Sequence, residues 1–419
     1  MKKLILLLIV YLLVISVNAQ NDSYAFVRNY DRWGVINSSG EIVIDAIYDI
    51  VYSPAVTYAP YYSDSKNIIF EPSDNLFKIS IHEKFGYVNI HNETQIPCQF
   101  KVSYDFKNGH AIIYTKAKYG IIDINGELVS ELVKYPIIDF LEDKLLIRKD
   151  HKFGIMDFDG KVITPPIYRD ADYFSDGVTC LKYKGKYGYL FPSGHWMIEP
   201  KFKQAYSFIN GIAIVKEGII CGTINKKGEY LIEPKWDQIE PAENGIHRVR
   251  SGYMWGFVDI KGTIIVKPDY YETRDFSEGV AAVRKGEFWG LIDENGVSII
   301  DFIYEYVGDC NDGIVRVKEK NKWYYFSKDG KRLNDKHYIN ANDFHEGLAR
   351  VKSLKLYGYI NNKGDLVIDE KFENAYDFHN GLCRARVDQL WGYIDNTGQY
   401  VIIPKYNNVE DFFTLDEFD

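Results

Sequence analysis

The sequence is poor in the residues and motifs that mark metal proteins and enzymes. Only four Met and five Cys occur among 419 residues, no Cys-x-x-Cys pair is present, and the nine His are scattered. A Gly-x-Ser-x-Gly, a His-Glu-x-x-His and a phosphate-binding loop are also absent. We therefore expect a protein that is not an enzyme and holds no cofactor or metal, with its Cys residues as core substitutions.

Excess positive charge is missing as well, which bears on the choice of partner. Lys and Arg total 50 against 59 Asp and Glu, and the formal net charge is −9. An acidic chain is a poor ligand for a polyanion. The composition therefore predicts that the protein does not bind nucleic acid.

Long apolar runs are confined to the first residues of the chain. Residues 4–17 are apolar, follow Lys2 and Lys3, and precede the small-residue site Val17-Asn18-Ala19. Such a stretch is short for a membrane span, so residues 1–19 predict a secretory signal, with an uncleaved anchor as the alternative. We expect a mature chain, residues 20–419, that has no transmembrane segment and is secreted, periplasmic or at the cell surface.

Aromatic residues, in contrast, are abundant, and an aromatic-Gly pair recurs every 34 residues. From Gly86 to Gly392 the spacing never changes, although Tyr324 replaces one glycine; an earlier copy is Trp33-Gly34. Eleven copies fill the chain, which predicts one repeat array rather than separate domains. The repeat glycines are Gly34, Gly86, Gly120, Gly154, Gly188, Gly222, Gly256, Gly290, Gly358 and Gly392.

Each copy has the pattern of short strands joined by tight turns. In residues 279–305, three runs rich in β-branched and aromatic residues are separated by polar or Gly-containing turns. Gly296 lies six residues after the repeat glycine, as in a type I turn that ends in a left-handed residue. The pattern predicts an all-β protein of eleven antiparallel three-stranded repeats.

The strand count also decides between two architectures. A propeller blade requires four strands, and propellers usually have about four to eight blades. Eleven three-stranded units therefore predict an open solenoid, with or without a superhelical twist, and one or two propeller-like closed arrays are the alternative. We place repeat 1 at residues 23–56, repeats 2–11 at residues 75–414, and an acidic end that protects the last edge at residues 411–419.

The repeat resembles the WG-repeat proteins of bacterial envelopes. Their units carry aromatic-Gly-aromatic-Ile-Asp, then a turn glycine, then Val-Ile-x-Pro-x-Tyr. The last copy matches this pattern in residues 391–395, Gly398 and residues 401–406, and the resemblance covers residues 23–414. It implies a repeat fold and supplies no catalytic residues.

A basic residue recurs six residues before the repeat glycine and could form a ladder for an anionic polymer. Further Arg residues lie two positions earlier, and an acidic column lies nineteen residues after the glycine. Because cross-strand ion pairs are common, we favour structural pairing between bases and acids. The ladder residues are Arg148, Lys182, Lys216, Arg250, Arg284, Lys318, Lys352 and Arg386.

The largest departure from the repeat is an insertion of 18 residues within residues 48–74. It carries Tyr52, Tyr58, Tyr61 and Tyr62. Insertions in repeat arrays map to loops on one face, and exposed tyrosines suit protein or sugar partners. This segment is either a binding loop or a cap over the open edge of the array.

These observations favour an exported, non-catalytic binding or scaffold protein of the bacterial envelope. Its repeat surface would bind another envelope or extracellular protein. The alternative is a glycan-binding protein that uses exposed aromatic rings. A Trp column lying flat on the surface would favour the second function.

Overall fold

The computed structural model describes residues 23–52, 76–241 and 245–414. The described residues fall into two compact units. Of these residues, unit 1 comprises 23–52, 76–99, 104–109 and 378–414, and unit 2 comprises 100–103, 110–241 and 245–377. The predicted secretory signal lies outside the described residues. None of the described residues forms a helix long and apolar enough to cross a membrane.

The described chain consists of strands and turns. The first strands are β1 (Ser23–Asn29), β2 (Arg32–Asn37), β3 (Ile42–Tyr48), β4 (Ile50–Tyr52), β5 (Leu76–Ile81), β6 (Lys84–Asn89), β7 (Thr94–Phe100), β8 (Val102–Ser103), β9 (His110–Thr115), β10 (Lys118–Asp123), β11 (Ile137–Leu141), β12 (Lys144–Lys149), β13 (Lys152–Asp157), β14 (Val162–Tyr168), β15 (Asp170–Ser175), β16 (Val178–Tyr183), β17 (Lys186–Leu190), β18 (Trp196–Phe202), β19 (Gln204–Ala205), β20 (Ile212–Glu217), β21 (Ile220–Asn225) and β22 (Tyr230–Trp236). They are followed by β23 (Gln238–Ile239), β24 (Ile246–Ser251), β25 (Met254–Asp259), β26 (Ile264–Tyr270), β27 (Glu272–Thr273), β28 (Val280–Lys285), β29 (Phe288–Asp293), β30 (Ser298–Tyr304), β31 (Tyr306–Asn311), β32 (Ile314–Glu319), β33 (Lys322–Ser327), β34 (Asn340–His345), β35 (Leu348–Lys352), β36 (Tyr357–Asn361), β37 (Leu366–Phe372), β38 (Asn374–Ala375), β39 (Leu382–Val387), β40 (Leu390–Asp395), β41 (Tyr400–Tyr406), β42 (Asn408–Val409) and β43 (Phe413–Thr414).

These strands form eleven small antiparallel sheets, most of which have four strands. In the sheet β27-β28-β29-β30, the last three strands are the three runs expected from the sequence. The first strand, β27, comes from the end of the preceding repeat and contributes only Glu272 and Thr273, which pair with Arg284 and Val283. The expected three strands per repeat were therefore one too few, because a two-residue strand leaves no periodic pattern in the sequence.

The repeat glycine is required by a bulge in the fourth strand of each regular sheet. In repeat 7, β25 pairs with β26 through Trp255–Tyr270 and Phe257–Val266, and the register shifts between these pairs. The bulged backbone approaches Gly256 so closely that an added Cβ would lie 2.5 Å from the carbonyl oxygen of Val266. Pro268 lies in this bulge, where the missing N–H breaks no ladder bond.

The hydrophobic core lies between successive sheets. One cluster joins Phe257, Val266 and Tyr270 of repeat 7 to Phe276 and Val283 at the start of the next sheet. The Phe column, twenty residues after the repeat glycine, supplies a buried ring to most of these interfaces. Its members are Phe106, Phe140, Phe174, Phe208, Phe276, Phe344, Phe378 and Phe412.

In five of the eleven repeats, a buried Tyr directly after the repeat-glycine position ties the interface together. Tyr359 is fully buried, and its hydroxyl donates to the carbonyl of Tyr376 at 2.6 Å. Tyr393 makes the same bond to Glu410 at 2.7 Å and packs its ring on Phe412. Burial holds the pKa of Tyr393 well above its ordinary value, so the hydroxyl stays a donor.

The two ends of the array pair with each other. Strands β42 and β43 both pair with β1, so the C-terminal residues complete the sheet β1-β2-β3. The backbone bond from Asn407 N to Arg28 O repeats the bond from Asp237 N to Arg250 O between repeats 6 and 7. The last repeat therefore contacts the first as one repeat contacts the next. The open solenoid was the wrong expectation, because its ends would be unpaired; the propeller-like alternative matches the structure.

Two sheets have only three strands, and both contain departures from the repeat. In repeat 9, the sheet ends at β33, and no fourth strand pairs with its outer edge. The residues that follow make only isolated bridges to β33, Trp323–Tyr338 and Phe326–Arg332. Tyr324 replaces the repeat glycine there, and the guanidinium carbon of Arg332 lies 3.8 Å from the centre of its ring. Because no bulged strand approaches at this point, a large side chain fits.

Candidate binding surface

The aromatic residue before each repeat glycine lies opposite a ladder residue. In repeat 7, Trp255 on β25 pairs with Arg250 on β24, and the guanidinium carbon lies 5.8 Å from the indole ring centre. Arg248 approaches the same ring at 5.8 Å. The indole is half-buried. The Trp255 ring therefore makes cation–π contacts with these two arginines and is not an unoccupied aromatic surface.

The same arrangement recurs for most ladder residues. The ammonium nitrogens of Lys182, Lys318 and Lys352 lie 5.0, 5.7 and 4.7 Å from the ring centres of Tyr187, Trp323 and Tyr357. Arg386 lies 5.9 Å from the ring of Trp391. Lys216 lies opposite Cys221, which replaces the aromatic residue, and Arg148 is exposed opposite Phe153.

The acidic column pairs with the inner arginines, which lie two residues before the ladder, rather than with the ladder itself. Arg316 Nε lies 2.8 Å from Asp343 Oδ1, and Arg316 Nη1 donates to the carbonyl of Ala341 at 2.8 Å. The equivalent ion pairs are Lys78–Asp105, Arg248–Asp275 and Arg384–Asp411, at 2.7 to 2.8 Å. These pairs join the second strand of one sheet to residues in or just after the first strand of the next.

Among the ladder residues, Arg284 has an acidic partner. Its Nε lies 2.9 Å from Glu272 Oε2, and its guanidinium carbon lies 5.9 Å from the ring of Tyr271. Lys182, Lys216, Arg250, Lys318 and Lys352 form no ion pair with any residue in the described ranges. The expectation that ion pairing would account for the ladder was therefore wrong for these residues.

The hairpin between the second and third strands places a half-buried or exposed residue beside the ladder. Two residues before the repeat glycine, repeats 1–5 and 9 carry Arg or Lys. Repeats 6, 7, 8, 10 and 11 instead carry Ile220, Met254, Phe288, Leu356 and Leu390. The hairpin tips are also apolar in repeats 6 and 7, where the exposed fractions of Ile219 and Tyr253 are 79% and 85%. Phe288 is 45% exposed.

We name Ile219, Ile220, Tyr253, Met254 and Phe288 the apolar hairpin patch. Its hairpins are joined through the residues that follow each fourth strand. Asp237 accepts a bond from the Cys221 thiol at 3.5 Å and one from the Gly252 amide at 2.6 Å, which links the hairpins of repeats 6 and 7. Lys285 binds Asp269 at 2.6 Å and links the hairpin of repeat 8 to the end of repeat 7. The patch thus spans three successive repeats.

Sequence reasoning missed this patch, although the signal was present. The change from Lys84, Lys118, Lys152 and Lys186 to Ile220, Met254 and Phe288 is visible once the repeats are aligned. The position was treated as part of a polar turn, because exposure cannot be read from a hairpin tip. Departures from a repeat consensus are where a repeat protein carries its specific contacts.

Most of the tyrosine insertion lies outside the part of the chain that the structure describes. Tyr58, Tyr61 and Tyr62 lie outside the described residues. Tyr52 ends β4, whose backbone pairs with Lys78 of β5. Because β4 is the first strand of its sheet and β5 the second, the extra residues lie between these two strands. The acidic end after Thr414 is also outside the described residues.

The Trp residues do not provide a flat surface for sugar. Trp391 is buried, and Trp33, Trp255, Trp289 and Trp323 are half-buried. Arg274 covers Trp289 at 5.7 Å, and its Nη2 donates to the hydroxyl of Tyr306 at 2.9 Å. The aromatic column therefore binds the protein's own cations, and the glycan alternative loses its main support.

The cysteines and the described acids give no sign of a reactive or metal site. Cys180, Cys221, Cys310 and Cys383 are buried, Cys98 is half-buried, and all five thiols are free. Burial and the neighbouring Glu278 raise the pKa of Cys310 to about 12, so this thiol is unreactive at neutral pH. No cluster of metal-ligating side chains occurs in the part of the chain that the structure describes.

Comparison with protein families identifies the repeat. The family described as WG containing repeat matches nine segments of the chain: residues 33–55, 85–119, 153–187, 187–218, 222–253, 255–287, 289–323, 357–391 and 391–414. The chain belongs to the WG-repeat family. The expected family is confirmed. The matched segments end at the hairpins of repeats 6–8, so Ile219, Ile220, Met254 and Phe288 lie between successive segments.

Other comparisons are more distant. No curated protein matches the sequence. A crystal structure of a eukaryotic initiation factor is 10% identical, with 76% of this chain and 97% of that chain covered, and a TM-score of 0.39. PorZ, a surface component of the type-IX secretion system of Porphyromonas gingivalis, is 8% identical over 78% and 57% of the two chains, with a TM-score of 0.26. An extracellular domain of a putative hybrid two-component system from B. thetaiotaomicron is 10% identical over 90% and 64%, with a TM-score of 0.23. Similarity this low carries no argument about function.

Proposed function

We propose that this chain is an exported, non-catalytic binding protein of a bacterial envelope. Its partner is another envelope or extracellular protein, and the apolar hairpin patch is the contact surface. The observation that carries the proposal is the replacement of Lys by Ile220, Met254 and Phe288 at one hairpin position in three successive repeats. Exposed apolar side chains concentrated on one edge are typical of protein interaction sites.

The chemistry of the patch supports a protein partner. Tyr253, Met254 and Phe288 offer large, mainly apolar contact area, and aromatic and Met side chains are enriched in protein interfaces. The hairpins are tightly held, because Asp237 fixes the Gly252 amide and Asp269 fixes Lys285. A surface that is already ordered loses little conformational entropy on binding.

The test replaces Ile219, Tyr253 and Phe288 together by Lys, the residue type that repeats 2–5 carry at the position of Phe288. Ile219 and Tyr253 are largely exposed and Phe288 is 45% exposed, so stability should change by less than about 1 kcal/mol. Affinity for the native partner should fall at least about thirtyfold, as expected for the loss of an interface hot spot.

A matched control replaces Ile264, Val297 and Ile303 by Lys. These residues are 46%, 60% and 57% exposed and lie on β26, on β30 or in the turn between β29 and β30, away from the hairpins. Native envelope extract is passed over immobilised wild-type protein, patch variant and control. A protein retained by the wild type and the control but not by the patch variant supports the proposal. Identical retention by all three, or substrate turnover by the purified protein on peptide, ester or glycan panels, contradicts it.

A further inference from the structure

The ladder contains cations that are held in place but not neutralised. Lys182, Arg250, Lys318 and Lys352 each lie within 5.8 Å of an aromatic ring centre. All four are half-buried, and none forms an ion pair within residues 23–52, 76–241 and 245–414, although Asp170 lies opposite Lys182 in the strand register. Arg250 Nε is in addition buried, and it makes no hydrogen bond to the described part of the chain.

This lack of acidic partners is unexpected in so acidic a protein. With 59 acids against 50 bases, pairing within the chain could neutralise every cation. Most inner arginines are in fact paired, as in Arg248–Asp275, although they lie only two residues away on the same strand, whereas Arg350 forms no ion pair within the described residues. A half-buried cation has lost part of its hydration, and a ring contact restores only part of that lost stabilisation. A carboxylate from outside the chain would complete these sites.

The ladder and the apolar hairpin patch share the hairpins of repeats 6 and 7. Lys216 lies three residues before Ile219, and Arg250 lies three residues before Tyr253. Each of these two hairpins thus presents a cation followed by an apolar side chain. We infer that this surface binds an acidic polypeptide segment in which carboxylates alternate with apolar residues. The inference rests on the proposed function and specifies the chemistry of the partner.

A polypeptide fits this surface better than an anionic membrane does. Glu287 is exposed beside Phe288, and Asp269, which is 60% exposed, lies at Lys285. These acids, and a net charge of −9, would be repelled by a continuous anionic layer. A peptide can place its carboxylates individually against the ladder cations, and its uncharged residues can lie beside Asp269 and Glu287.

The test uses a labelled peptide in which Glu alternates with Val, and fluorescence anisotropy at low and high salt. The ladder variant carries Lys216→Gln and Arg250→Gln, the ladder cations on the hairpins of repeats 6 and 7. The matched control carries Arg284→Gln with Glu272→Gln, which removes a ladder cation that already has an acidic partner. We expect the wild type and the control to bind the peptide with a similar salt dependence. The ladder variant should bind at least about tenfold more weakly, with a smaller salt dependence.

Three results overturn the inference while the proposed function stands. These are no binding of the acidic peptide by the wild type, equal binding by the ladder variant, or equal binding of a peptide in which Lys alternates with Val. Two further results replace the occupant and overturn it as well. One is ladder-dependent sedimentation with phosphatidylglycerol vesicles, and the other is ladder-dependent self-association of the chain. If the patch variant also retains the native partner, the proposed function fails separately.

Discussion

The close approach of backbone to the repeat glycine can be tested by adding a single methyl group. In repeat 7, a Cβ at Gly256 would lie 2.5 Å from Val266 O, 2.6 Å from Pro268 N and 2.7 Å from Lys267 C. All three atoms belong to the backbone of β26, so no side-chain rotation can relieve the overlap. We expect Gly256→Ala to lower the free energy of unfolding by about 3 kcal/mol, the upper part of the range for overpacking.

Gly120 is a matched control at the same position of repeat 3. That sheet lacks a fourth strand, and a Cβ there would meet only side-chain atoms, Leu132 Cδ2 at 2.7 Å and Leu128 Cδ1 at 2.9 Å. The ends of Leu side chains can rotate away. Gly120→Ala should therefore cost about 1 kcal/mol.

Urea denaturation followed by circular dichroism measures both variants. The midpoint should fall clearly for Gly256→Ala and slightly for Gly120→Ala, with the slope unchanged if the transition is two-state. Hydrogen exchange should show the largest loss of protection in Ile264–Tyr270, the strand that the new methyl group displaces. Equal losses in the two variants, or a neutral Gly256→Ala, would refute the reasoning that backbone approach requires the glycine.

Three further predictions concern pH, a buried hydroxyl and the paired ends. His247 is buried, and its Nδ1 donates to Glu240 O at 3.0 Å. Burial lowers the pKa of His247 below 6.5, so the unfolded chain takes up the proton at a higher pH than the folded chain does. The free energy of unfolding should therefore fall as the pH drops below 6.5, by at most about 1.4 kcal/mol per pH unit. Thr179 occupies the equivalent position in repeat 5, where its hydroxyl donates to the equivalent carbonyl, so Thr is a suitable replacement. His247→Thr should remove this contribution to the pH dependence of the free energy of unfolding, measured by denaturation at several pH values. An unchanged pH dependence would contradict the assignment to His247. Tyr393→Phe leaves the carbonyl of Glu410 without its donor and should cost about 1–2 kcal/mol in the same assay, whereas no loss would mean that water replaces the bond. Deletion of residues 408–419 removes β42 and β43 and exposes the edge of β1, so light scattering should detect association; a monomer that melts as the wild type does would show that this pairing is dispensable.

The regular features of the fold could be predicted from the sequence because each depends on neighbouring residues. The turn at Asp259–Gly262 needs a glycine with a φ of +82° and a side chain that accepts the Lys261 and Thr263 amides. Both requirements are visible in the chain. The runs at β24, β25 and β26 likewise follow from alternating apolar residues.

The candidate surface was only half predictable. The ladder appeared as a column of bases, but which bases would find acids could not be deduced. Arg316 reaches Asp343 because the first strand of the next sheet packs against its own strand, whereas Lys318, two residues later, lies over Trp323. The two residues lie on one strand but have different partners, because the position of the next sheet decides which of them meets an acid. The position of that sheet cannot be read from a local sequence pattern.

The sequence by itself determined the period, the strand and turn types, the WG-repeat family and the buried columns, because spacing and residue type specify local geometry and which side of a strand is apolar. Tertiary structure alone decided the fourth strand and the pairing of the ends. Strand β27 has two residues and exists only because β28 lies beside it, and β42 pairs with β1 from the opposite end of the chain. Such contacts gain their free energy from residues far apart in sequence, so no local pattern encodes them.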